Sequence, residues 1–181
     1  MDDKRHRFEV QVMPHLDAAY RFARWLSRSP FDADDIVQEA FLRAYRSFDT
    51  LRSADAKAWL LTIVRNCHAT ALGQQQRRAY VPLPAEEGAP TDPVAVAATP
   101  DPQAASIERD EQRTLDRLVA ALPAEHRQVL LLREMEEMSY REIAAVAGVP
   151  IGTVMSRLAR ARAALKAKWL EDAKGEPHAM R

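Results

Sequence analysis

A cluster of prolines constrains this chain more than any other feature. Pro82, Pro84, Pro90, Pro93, Pro100 and Pro102, six of the 11 prolines, fall between residues 81 and 105. Proline fixes φ and supplies no backbone N–H, so no helix runs through such a stretch, and the Ala, Thr, Asp and Glu around these six show no helical spacing. The segment reads as an extended tether. On both sides of it apolar residues recur at intervals of three and four, while 5 Gly and few aromatics leave little material for strands. The expected architecture is all-α: two small helical bundles joined by a Pro-rich acidic linker. The expected domains cover residues 1–80 and 111–172, with the linker over 81–110 and a C-terminal tail over 173–181.

The formal net charge is zero, which would argue against a polyanionic partner if the charge were evenly spread. It is not. Residues 1–80 hold 13 basic and 10 acidic side chains, residues 81–110 hold 1 and 6, and residues 111–181 hold 12 and 10. The acid is concentrated in the linker. Two stretches are locally basic, with 7 basic against 2 acidic residues over 43–78 and 5 against none over 151–170. Clusters of that kind are the footprint a phosphate backbone requires.

No apolar run reaches the roughly 18 residues of a membrane helix, and Met1-Asp2-Asp3-Lys4-Arg5 does not open a signal peptide, so a cytoplasmic protein without a membrane span is expected. The single cysteine, Cys67, cannot form an internal disulfide. Cys67 and His68 are neighbours that point about 100° apart on a helix, with no second Cys or tight His cluster beside them. Cys67 is therefore read as a buried structural residue, and no metal or cofactor is expected. Nor is there a Gly-rich phosphate loop or a nucleophile elbow, so no catalytic residues are assigned and the chain is not expected to be an enzyme.

In the first segment Leu16, Ala19, Tyr20, Ala23 and Leu26 mark an amphipathic helix ended by Ser29-Pro30. Asp32 is the expected N-cap of a second, on which Ile36, Val37, Ala40, Phe41, Ala44, Tyr45 and Phe48 form a wide apolar stripe. After a loop from Asp49 to Lys57, the spacing of Trp59, Leu60, Ile63, Val64, Cys67 and Ala71 predicts a third helix from about Ala58. Three such helices enclose one core.

In the second segment Leu115, Leu118, Val119 and Leu122 define a helix stopped by Pro123, and Val129, Leu130, Leu132 and Met135 define the next. Ser139-Tyr140-Arg141-Glu142 is a capping box, so another helix starts at Ser139. Ala144, Gly148 and Val154 follow at helix-turn-helix spacing: a small residue where helices cross, one that tolerates positive φ in the turn, and an apolar one at the contact. Beyond the turn Val154, Leu158, Ala161 and Leu165 form a buried stripe, which turns Thr153, Ser156, Arg157 and Arg160 outward, to a major groove. Arginine bridges guanine O6 and N7 with two hydrogen bonds, and Ser and Thr contact bases or phosphates. Arg162, Lys166 and Lys168 are read as phosphate contacts.

Two sets of residues together resemble an extracytoplasmic-function (ECF) sigma factor of the sigma-70 family. Asp34-Asp35-Ile36-Val37-Gln38-Glu39-Ala40-Phe41-Leu42-Arg43-Ala44-Tyr45, followed by Ala58-Trp59-Leu60-Leu61-Thr62-Ile63-Val64-Arg65-Asn66, is similar to the family's region 2. Leu122-Pro123, Arg127, Leu132-Arg133 and the run from Ser139 to Arg162, with Gly152-Thr153-Val154 and Ser156-Arg157, is similar to region 4. The resemblance implies a non-enzymatic subunit that directs promoter-specific transcription initiation by core RNA polymerase. In it, region 2 meets the beta-prime clamp helices and the minus-ten element, and region 4 meets the beta flap and the minus-thirty-five element. An anti-sigma factor is a further expected partner.

Carried onto this sequence, the resemblance assigns polymerase binding to Asp35, Gln38, Glu39, Leu42 and Arg43. An outward leucine among hydrogen-bonding groups suits the docking of another helix. It assigns promoter contact to Lys57, Arg65 and Asn66 in region 2 and to Arg133, Thr153, Ser156, Arg157 and Arg160 in region 4. Met155 and Ala159 depart from the family pattern on the recognition face, which implies an altered minus-thirty-five preference. The competing expectation is a helix-turn-helix transcriptional regulator whose first domain senses a signal or dimerises; it accounts for the second half only.

Overall fold

Two helical units, each with its own buried core, make up the chain. The structure is a computed structural model that describes residues 2–27, 30–51, 55–79 and 113–175. The expected linker and the end of the expected tail lie outside the described residues.

The first unit contains α1 (Asp2–Gln11), α2 (Leu16–Ser27), α3 (Pro30–Ser47) and α4 (Ala56–Ala79), with 3-10 turns at Met13–His15 and Phe48–Thr50. Helices α2, α3 and α4 pack against one another in all three pairings. Alanines let them approach: Ala19, Ala23, Ala40 and Ala44 are wholly enclosed, and the larger Phe22, Leu60, Leu61 and Val64 fill the space between. Each of those larger side chains contributes roughly 1.5–3 kcal/mol of burial.

Three boundaries differ from the sequence expectation. Helix α3 starts at Pro30, so Asp32 stands in its first turn instead of capping it; proline is preorganised for the first helical position, where its missing N–H costs nothing. Helix α4 starts at Ala56 because Asp55 caps it, its Oδ1 accepting from the Ala58 amide at 3.0 Å. Lys57 therefore lies in the helix and not in the loop. Helix α1 has no counterpart in the sequence reading. Only Phe8 and the following Val12 bury themselves there, too few apolar positions to make a periodic signal.

On α2 the buried face is Ala18, Ala19, Phe22, Ala23 and Leu26. Leu16 and Tyr20, expected on that stripe, stand at its exposed margin, because Phe22 takes the central place.

The second unit contains α5 over residues 113–120, α6 (Ala124–Glu134), α7 (Tyr140–Ala147) as far as Ala144, and α8 (Ile151–Gly175). Leu118 and Val119 of the first of these, Leu122 just after it, Val129 to Leu132 of α6, and Ile143, Val154, Leu158 and Ala161 are buried. Pro123 ends α5, and its carbonyl accepts from His126 and Arg127, which starts α6. Arg127 is itself buried, and its Nη1 donates to the Ala120 carbonyl at 2.8 Å, serving one of the orphan acceptors at the end of α5.

Candidate nucleic-acid interface

The capping box forms as the sequence predicts. The Ser139 amide donates to Glu142 Oε2 at 2.6 Å, and the Glu142 amide donates to Ser139 Oγ at 3.3 Å, which fixes the start of α7. At its other end Gly148 adopts φ +66°, the left-handed conformation that glycine enters without a Cβ penalty. The Val149 amide closes the turn onto the Ala144 carbonyl at 3.1 Å, and the Pro150 carbonyl accepts from Thr153 and Val154 to start α8. The two helix axes are bent by 98°. That falls within the roughly 90–120° of a helix-turn-helix.

Val154, Leu158 and Ala161 anchor α8 to its unit, so the opposite face is turned to solvent. Ser156 and Arg160 are exposed there, Thr153 is half-buried, and Met155 stands out among them with 54% of its surface accessible. Arg157 is less open than its spacing suggested. Its side chain is 21% exposed and its guanidinium is ion-paired with Glu125 of α6. Arg162 is paired with Glu134 at 2.7 Å, a hydrogen bond that raises the guanidinium pKa further above its ordinary value. Arg133 turns inward to the α6–α7 reversal: its Nη1 donates to the Met138 carbonyl at 2.8 Å, and its guanidinium lies 5.3 Å from the Tyr140 ring centre.

In the first unit Lys57 and Arg65 lie on α4, eight residues and about 12 Å of helix rise apart. Arg65 Nη2 donates to Asn66 Oδ1 at 2.7 Å, which leaves the exposed Asn66 amide nitrogen as its outward donor. On α3, Asp35, Gln38 and Leu42 are exposed, and Glu39 and Arg43 form a half-exposed ion pair at 2.6 Å. Phe31, 76% exposed, and Tyr45, 41% exposed, extend the same outward row at positions 31, 35, 38, 42 and 45. The sequence reading missed Phe31 and assigned Tyr45 to the core, although the i, i+4, i+7 spacing from Phe31 was available. Cys67 is buried, and burial pushes its thiol pKa up. Among the described residues no group of three or more His, Cys, Asp or Glu is arranged to hold a metal, and no single helix is long and apolar enough to cross a membrane.

These units correspond to two known sequence patterns. Sigma-70 region 2 matches residues 11–78, and Sigma-70, region 4 matches residues 112–165. The chain is 34% identical over 145 residues to the ECF RNA polymerase sigma-E factor of Escherichia coli, covering 76% of this chain and 73% of that protein. The chain belongs to the ECF sigma factors of the sigma-70 family. This sigma factor is also 36% identical over 157 residues to the ECF RNA polymerase sigma factor SigE of Mycolicibacterium smegmatis, covering 86% of this chain but only 58% of that longer relative. Its fold is similar to that of the sigma factor RpoE of Bartonella quintana, solved in complex with the anti-sigma factor NepR, with a TM-score of 0.68, 25% identity and coverage of 92% and 96% of the two chains. As an ECF sigma factor it is a transcription-initiation factor. The region 2 match also accounts for the first half of the chain, which a helix-turn-helix regulator left unexplained. Most of α1 and the last ten residues of α8 lie beyond the matched spans.

Proposed function

We propose that this sigma factor acts without catalysis of its own, in the cytoplasm, by carrying core RNA polymerase to promoters and opening them. The observation that carries the reading is α8: a helix set at 98° to its capped predecessor, with Ser156 and Arg160 outward over a buried stripe. Such a helix fits a major groove, where Arg160 reaches base edges and Thr153 and Ser156 reach edges or phosphates. Arg133 supports this surface from behind by holding the α6–α7 reversal, and Arg157 borders it.

Residues 1–80 then act as region 2, 111–172 as region 4, and 81–110 as the tether between them. Asp35, Gln38, Leu42 and the Glu39–Arg43 pair, flanked by Phe31 and Tyr45, form the surface offered to the beta-prime clamp helices, and region 4 meets the beta flap. The mixture of exposed apolar and acidic groups supports that assignment. Lys57, Arg65 and Asn66 contact the opened promoter strand. An anti-sigma factor, of the kind bound by the Bartonella relative, restrains the protein until it is needed.

The test is run-off transcription with purified core polymerase on a genomic promoter library. The expected result is initiation at a restricted set of sites sharing two spaced elements, with open-complex formation falling steeply as salt rises. Core polymerase that neither associates with the chain nor gains specific initiation from it would overturn the reading.

A further inference from the structure

Arg157 and Arg162 occupy the two margins of the outward face of α8. With 3.6 residues per turn they stand about 140° apart around the helix, one on each side of the buried Val154–Leu158–Ala161 stripe. Each is held by a carboxylate of α6, Arg157 by Glu125 and Arg162 by Glu134. Arg160, on the outward arc about 60° from Arg157, is exposed. A helix lying in a major groove turns its outward arc to base edges and its margins to the two phosphate walls. The glutamates therefore sit on the two guanidiniums best placed for sequence-independent contact.

We propose that Glu125 and Glu134 are specificity-determining residues of promoter recognition, which neutralise the marginal arginines in the unbound protein and so reduce attraction to any duplex while leaving Arg160 to read sequence. The inference rests on the reading of α8 as the upstream-element reader. Affinity for random DNA arises from phosphate neutralisation and counterion release, so an arginine already paired contributes less of it. To reach a phosphate it must first give up its carboxylate, which then stands beside the phosphates as a like charge. Both glutamates are more than half exposed, and ion pairs in that setting are weak enough to exchange partners.

The test uses the full chain bound to core polymerase, as wild type, Glu125→Gln, Glu134→Gln and the double variant. Fluorescence anisotropy follows binding to two labelled duplexes, one with an upstream element known to support initiation and one with that element scrambled, over a fourfold range of salt. The double variant is expected to bind the scrambled duplex roughly tenfold tighter at low salt. Its affinity should fall more steeply with salt, by about 3.5-fold per released arginine across the range, from a slope of about 0.9 per phosphate. Its preference for the intact element should shrink. Glu171→Gln, which removes the same charge from exposed α8 without touching either pair, is expected to change none of these. Wild-type values in the double variant, or an equal gain from Glu171→Gln, would overturn the proposal. A wild-type complex that does not distinguish the two duplexes would instead overturn the reading of α8, and the inference with it.

Discussion

Arg133 Nη1 donates to the carbonyl of Met138 at 2.8 Å, across the reversal that joins α6 to α7. Between them Glu137 adopts φ 55°, a left-handed conformation unusual for a residue with a side chain. The guanidinium and the Tyr140 ring beneath it hold that reversal closed. Arg133→Ala is therefore expected to destabilise the second unit by about 1–3 kcal/mol, from a lost charged hydrogen bond and a cation–π contact. Denaturant unfolding monitored by a probe in that unit measures it. An unchanged midpoint would leave Arg133 available for DNA.

Arg160→Ala removes the exposed arginine on the outward face of α8. Loss of a bidentate base contact amounts to about 1–3 kcal/mol, or roughly five- to 150-fold. Initiation should drop by that factor at promoters with an intact upstream element and change little where that element is absent. An equal drop at all promoters would point to misfolding or to polymerase docking.

Asp35→Ala combined with Leu42→Ala alters two exposed positions of α3 and leaves the core untouched. Affinity for core polymerase should weaken at least tenfold, about 1.4 kcal/mol, with an unchanged thermal midpoint. Equal affinities of variant and wild type would move the docking surface elsewhere.

Phe8 meets Phe41, Tyr45 and Phe48 edge-on, with ring centres 6.3, 5.2 and 5.4 Å away. Truncating a buried phenylalanine costs about 3–5 kcal/mol. Phe8→Ala should approach that range, and hydrogen exchange should show the amides of α1 losing protection first. Retained protection in α1 would show that other contacts hold it.

Cys67 gives a pH signature. Burial raises the folded thiol pKa above its ordinary value, so the folded state holds the proton more tightly than the unfolded one. Stability should be unaffected below the ordinary thiol pKa of about 8.5 and should decline as pH rises through it toward the folded value. Cys67→Ser should flatten that part of the profile. Thiol-reagent labelling of the native protein should be slow near neutral pH, and rapid labelling would contradict the burial.

What the sequence made legible follows from how many residues carry each signal. The capping box and Gly148 each have one physical solution, and both form as expected. The helices α2, α3, α4 and α8 were readable because many apolar residues share a period. Helix α1 was not, since its burial depends on Phe8 meeting the rings of Phe41, Tyr45 and Phe48 far along the chain. The outward faces were only half legible. Periodicity placed Arg157 near solvent and the family resemblance gave Arg133 a promoter contact, but whether an arginine is open depends on what a neighbouring element brings, and Glu125 and the Met138 carbonyl arrive from elsewhere. Tyr45 shows the converse: an apolar position that tertiary packing left partly outside.

The joint at the start of the second unit has a mechanical meaning. Arg127 locks the end of α5 to α6 through the Ala120 carbonyl, and Arg117 clips α5 to Asp172 near the far end of α8. The chain thus enters this unit through a handle fastened at two points. A pull applied at residue 113 is therefore shared between α6 and the far end of α8.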